Sequence, residues 1–249
     1  MRKIVLALAL AFSASAPTLA AQCHIGLKNE IHLNERQLEI HQTSGDSAVV
    51  DGNNELTIHG ERVPLSAEQK KAIEEYKQNL NSYVPKAKQL AQDGLALADD
   101  IIDDIADSFD TPDAFEGVKA SLRAFYEDME SRYYNDGDLI LPAQSFREMA
   151  QTWAEDFEKA KALFNQEFIT SSFAALQAKM TAEGGINLTE MAETMAELKE
   201  RIAARLDEHG TQLQKKGDAL CDSLEEMVEQ EQQLHQQIPE LKNYPVFTI

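Results

Sequence analysis

Cysteine is scarce. Cys23 and Cys221 are the only two in 249 residues, and their separation rules out the Cys-x-x-Cys arrangement of dithiol redox proteins. Long apolar runs are missing as well: after the leading segment, nothing approaches the roughly 20 consecutive apolar residues that a membrane-spanning helix needs. Basic residues are few, 23 Lys and Arg against 43 Asp and Glu, for a net charge of −20. Nucleic acid and anionic lipid are gripped mainly by Lys and Arg on phosphate, so neither is an expected partner. The motifs of several enzyme classes are absent too. No Gly-x-Ser-x-Gly frames a nucleophilic serine, no glycine-rich loop leads into a Lys-Ser or Lys-Thr pair, and no calcium loop with its central glycine occurs. No glutamate stands three residues before a histidine, as a di-iron bundle requires. The chain therefore carries no recognisable catalytic constellation, the expectation is a protein that is not an enzyme, and no cofactor is implied.

Helical periodicity is abundant. Between Asn187 and Ile238, residues Leu188, Met191, Met195, Leu198, Ile202, Leu206, Leu213, Leu220, Leu224, Met227, Leu234 and Ile238 recur at three- and four-residue steps, the spacing of one helix face. Unbroken, that helix would span roughly 75–80 Å at about 1.5 Å per residue, which predicts an elongated molecule. Gly210 and Gly217 fall inside it and mark the place for a bend. Ser66 with Gln69 forms a capping box that opens an earlier helix through Ile73, Tyr76, Leu80, Ile101 and Ile105, interrupted at Pro85. Thr111-Pro112 opens another, closed by Asn135-Asp136-Gly137-Asp138. A further one runs from near Pro142 through Phe146, Trp153, Phe157, Phe164, Phe168, Phe173 and Met180 to Gly184-Gly185, with its aromatic stripe expected in the core. Short connections between long helices predict antiparallel neighbours.

Residues 22–65 follow a different period. Ile31 and Leu33 flank His32, Leu38 and Ile40 flank Glu39, and Leu56 and Ile58 flank Thr57, which is strand alternation. Turns fall at Ser44-Gly45-Asp46, Asp51-Gly52-Asn53-Asn54 and His59-Gly60-Glu61. Alternation sends His32, His41 and His59 to the face away from the apolar residues. Three imidazoles there are a candidate zinc or copper site, with Glu39 placed to orient a ring, although solvent-facing polar residues on a half-buried sheet read the same way. A second cation candidate is the acidic rows of Asp99, Asp100, Asp103, Asp104, Asp107 and Asp110 on their helix. The expected fold is thus mainly α: an elongated antiparallel helical bundle over residues 66–249, packed as one domain with a small N-terminal antiparallel β meander over 22–65. The tail from Tyr244 to Ile249 is extended by composition and is a candidate extra strand for the meander.

Residues 1–21 have the makeup of a cleaved secretory signal: Arg2 and Lys3, an apolar stretch from Ile4 to Phe12, then small residues up to Ala20. The expected destination is the periplasm, an oxidising compartment in which Cys23 and Cys221 can pair. Two free thiols or a bridge between chains are the alternatives. Cys23 just after the signal, the run from Asp51-Gly52 to Gly60 and Leu65, then Gln69, Tyr76, Leu80 and Pro85, and finally Gly217-Asp218-Ala219-Leu220-Cys221 together resemble the YggN-like proteins of Gram-negative bacteria, a family of unknown function. The resemblance implies a soluble exported protein with a terminal cysteine pair, and it carries over no catalytic residue. The expected role is a non-enzymatic binding or interaction protein of the cell envelope, with another envelope protein as its partner. The alternative is a periplasmic metal-binding protein that uses the histidine face.

Overall fold

The computed structural model describes residues 25–111, 113–135, 137–145, 147–149, 151–156, 168–174, 177, 181 and 188–249. Six short strands come first: β1 (Gly26–Leu27), β2 (Glu30–Leu33), β3 (Leu38–His41), β4 (Ser47–Val50), β5 (Leu56–Ile58) and β6 (Glu61–Val63). Helices α1 (Ala67–Ser108) and α2 (Glu116–Tyr133) follow, then strands β7 (Tyr134–Asn135) and β8 (Asp138–Leu141). Helix α3 (Leu188–Gln237), a 3-10 turn at Pro239–Asn243 and strand β9 (Phe247–Thr248) complete the order.

Seven strands make one antiparallel sheet in the order β6-β5-β4-β3-β2-β8-β7. This corrects the expected fold class. The protein is not a mainly α bundle with a small N-terminal meander: the sheet is a principal layer of an α+β fold, and two of its strands come from between the helices. The reason lies around Gly137: the sequence there reads as a helix stop, but its flanking residues pair as a hairpin. Asn135 pairs with Asp138, and Gly137 takes φ +92°, a conformation that glycine adopts without penalty. Leu139 and Leu141 then lie opposite Leu33 and Ile31, extending the apolar face of β2 by one more strand. The tail is extended as expected, but it pairs with β1 in a separate two-stranded sheet, Phe247 opposite Leu27.

The capping box forms: Gln69 N–H donates to Ser66 Oγ (3.2 Å) and Ser66 N–H to Gln69 Oε1 (2.8 Å). Helix α1 runs on through Pro85 for 42 residues, contrary to the expected interruption. An internal proline costs about 3 kcal/mol, and here the helix is held against α3 on both sides of it. Gln69 Nε2 donates to the Gln237 carbonyl (2.6 Å), Asn79 Nδ2 to Gln230 Oε1 (2.9 Å), and beyond the proline Lys216 pairs with Asp93 and Arg205 with Asp104. Partners climb in α1 as they descend in α3, so the two helices are antiparallel. Helix α3 is itself continuous for 50 residues, across Gly210 and Gly217.

Apolar burial is concentrated at the two ends of this pair. At one end the inner face of the sheet, with Ile31, Leu33, Leu38, Ile40, Val50 and Leu56, is covered by Ile73, Tyr76 and Leu80 of α1 and by Met227, Leu234 and Ile238. At the other end Ile101, Ile102 and Ile105 pack with Phe115, Val118 and Leu198. The expected aromatic core stripe is divided. Phe168 meets Phe115 with ring centroids 5.5 Å apart, but Trp153 is 39% exposed and Phe173 69% exposed. Trp153 Nε1 donates to Tyr133 Oη (2.8 Å), so its polar edge is satisfied at the surface. Helical spacing marks a face; it does not supply something to cover it. Phe146, Phe157, Phe164 and Met180 lie outside the described residues.

One carboxylate ties the two helices to the tail. Glu231, buried on α3, accepts from Tyr76 Oη (3.0 Å) and from the N–H groups of Val246 (2.6 Å) and Phe247 (3.1 Å). Burial pushes its pKa above the ordinary carboxylate value against the pull of these donors.

Two predictions follow from the packing. A Cβ on Gly94 or Gly210 meets nothing within 4 Å, and both residues sit inside helices. Gly94→Ala and Gly210→Ala should each stabilise the protein by about 0.5–1 kcal/mol in urea unfolding. A carboxyl whose pKa is raised on folding contributes stability in full below its unfolded value and loses it as pH rises through the folded value. Wild type should therefore lose stability relative to the non-titrating Glu231→Gln variant as pH rises upward from about 4.5. A gap between the two proteins that does not change with pH would show that Glu231 titrates as an ordinary carboxyl.

Candidate metal site

The hairpin of β2 and β3 is set by Asn34. Its Oδ1 accepts from the N–H groups of Arg36 (2.8 Å) and Gln37 (2.7 Å), while its own N–H donates to the Gln37 carbonyl (3.0 Å). The resulting register puts His32 opposite Glu39 and Glu30 opposite His41. Lys77 of α1 anchors this turn from below. Its buried ammonium donates to the carbonyls of Arg36 and Asp51, both at 2.9 Å, and burial holds its pKa below the ordinary lysine value.

Ile31 and Leu33 of β2 and Leu38 and Ile40 of β3 are buried on the inner face, so Glu30, His32, Glu39 and His41 share the outer one. His32 Nε2 lies 2.8 Å from Glu30 Oε1, and His41 Nε2 lies 2.8 Å from Glu39 Oε2. The two imidazole centroids are 4.6 Å apart. Gln37 Nε2 donates to Glu39 Oε1 (2.7 Å), which leaves the second oxygen of Glu39 for His41. One ligand atom each from His32, Glu39 and His41 lie within 4.8 Å of one another. Donors sharing a tetrahedral zinc ion at 2.0–2.1 Å sit about 3.4 Å apart, so small rotamer adjustments would close the set around one ion.

The structure brings His32 and His41 together and places His59 elsewhere. His59 and Gly60 are the two loop residues between β5 and β6, where Ile58 pairs with Glu61. Both have positive φ, +52° and +78°, the requirement of a tight hairpin turn, and a left-handed residue leaves the strand alternation. The His59 ring instead links Asp46 (Nδ1 to Oδ1, 3.1 Å) and Tyr244 (Nε2 to Oη, 3.1 Å). Its N–H donates to the Ser47 carbonyl, and Ser47 pairs with His41, so His59 stands two strands from His41, roughly 10 Å at ordinary strand spacing. Glu39 takes its place in the set. Sequence alternation already put Glu39 on the correct face, but only the cross-strand register shows it as a donor beside His41.

The acidic rows meet cations of the protein itself. Asp99 pairs with Arg123 (3.1 Å), Asp103 with Lys119, and Asp100 and Asp104 with Arg205. Cys23, His24 and the expected signal lie outside the described residues. Cys221 lies on α3, and no cysteine among the described residues is free. Among those residues, too, no helix is long and apolar enough to cross a membrane.

Sheet, helix pair and outer imidazole–carboxylate face together define an α+β protein with a donor set suited to a transition metal. Residues 23–247 match the family described as "Protein of unknown function (DUF2884)", and the chain belongs to that family. No curated protein and no solved structure matches it.

Proposed function

We propose that this protein is an exported binding protein of the cell envelope that holds a divalent transition-metal ion, zinc or copper, through His32, Glu39 and His41. The convergence of three donors within 4.8 Å on one face carries the reading. Imidazole nitrogen with one carboxylate oxygen suits zinc and copper. The Gln37 amide holds Glu39 in place, the kind of outer hydrogen bond that orients metal ligands. Binding is favoured over catalysis because the rings sit on an open sheet face, His32 and His41 side chains being 30% and 34% exposed, rather than in a water-excluding cleft.

Export rests on the signal-like composition of residues 1–21. In the periplasm Cys23 bonds to Cys221, a reading supported by the absence of a free cysteine among the described residues. Closing a loop of about 200 residues stabilises by roughly 5 kcal/mol on the chain-entropy model. Residues 22–249 act as one domain, supported by the apolar cluster that the sheet and both long helices share.

Zinc titration calorimetry should give one site per chain, weakened at least about tenfold in His41→Ala and in Glu39→Ala and unchanged in His59→Ala. Equal affinities in wild type and His41→Ala would remove the site. For the cysteine pair, protein taken from the periplasm should resist thiol labelling when denatured and accept two labels per chain after reduction. Labelling without reductant, or a covalent dimer on a non-reducing gel, would overturn the pairing.

A further inference from the structure

We propose that an ion held by His32, Glu39 and His41 keeps a coordination position open on its solvent side, where a small monodentate ligand, water or an anion, binds and exchanges. This inference rests on the metal-binding reading above and adds to it the chemistry of the bound ion. Its basis is the direction from which the donors come. All three side chains rise from one surface of one hairpin, because their alternating neighbours Ile31, Leu33, Leu38 and Ile40 are committed to the inner face. An ion above that surface is therefore ligated from one hemisphere. The neighbours across the ladder do not reach over the trio with donors, since Ile140 lies opposite His32, Val49 opposite Glu39 and Ser47 opposite His41, and the Gln37 amide beside Glu39 is engaged with that carboxylate. Only the serine among those cross-ladder neighbours is polar, and its side chain is short.

Glu30 is the residue that could close the site. It stands two residues before His32 on the same face of the strand and opposite His41 across the ladder. Its carboxylate is engaged with His32 Nε2 at 2.8 Å and does not join the group of three converging donors. Three protein ligands with a fourth position left to water is the arrangement that distinguishes open from closed zinc sites. An open position lets the ion be taken up and given away by ligand exchange, which suits capture and transfer better than a structural role.

Cobalt(II) is the probe, because its visible absorption reports the ligand set, and azide is the test ligand. Wild-type protein loaded with cobalt should show a saturable spectral shift on adding azide. The Glu30→Gln variant should bind cobalt and shift in the same way, while His41→Ala should lose cobalt binding. Cobalt bound by wild type with no azide response would overturn the open position and leave the metal site standing. A response confined to Glu30→Gln would overturn it as well, by showing that Glu30 occupies the fourth position. Failure of wild type to bind cobalt at all would overturn the site and this inference together.

Discussion

The inner face of the seven-stranded sheet must be kept from water, and most of the architecture follows from how that is done. Each fully buried Leu or Ile is worth about 1.5–3 kcal/mol over its exposed state, so a face that carries Ile31, Leu33, Leu38, Ile40, Val50 and Leu56 cannot be left bare. A single helix would cover part of it. Here the start of α1 and the end of α3 lie side by side across it, and the 3-10 turn and the tail add Leu241, Tyr244 and Val246. Two segments so far apart in the chain can meet there only if the helices run antiparallel. The hydrogen bonds from Gln69 to Gln237 and from Tyr76 to Glu231 pin that alignment at the sheet end.

Covering one face dictates the composition of the other. A strand offers alternate residues to opposite sides, so the same pattern that commits Leu38 and Ile40 inward forces Glu39 and His41 outward. Cross-strand register then sets which polar residues become neighbours. Asn34 shapes the β2–β3 turn and Lys77 binds it to α1, so the spacing of His32, Glu39 and His41 depends on packing on the far side of the sheet. The donor set is thereby carried on a backbone that the core holds in place. Precision of this kind matters to a metal ion more than to a hydrogen bond, since ligand distances are tolerated only within a few tenths of an ångström.

Elements defined by local pattern were legible in the sequence. Helices α1 and α3 repeat an apolar face over many turns, the Ser66 and Gln69 box marks a start, and alternation around His32, Glu39 and Thr57 marks strands. Elements defined by distant partners were not. Strand β8 is a short run, Asp-Leu-Ile-Leu, with little alternation, and its place beside β2 depends on pairing across more than a hundred residues. The Asp-Gly pair before it was visible but fits a helix stop equally well. His59 shows the limit of alternation from another side: it was recognised inside a turn, yet alternation holds only for extended residues, and its positive φ removes it from the set. Glu39 could be placed on the outer face, whereas its approach to His32 and His41 needed the register.

Between Leu80 and Ile101 no residue of α1 is buried, a span of about 30 Å that joins the sheet end to the far apolar cluster largely through polar contacts such as Lys216 with Asp93. The two ends of the domain therefore have little apolar surface in common and are coupled mainly along the helices. Opening can begin at one end before the other, and Trp153, which packs on Tyr133 beside the sheet cluster, reports the sheet end with the β2–β3 hairpin and not the cluster of Ile101, Phe115 and Leu198.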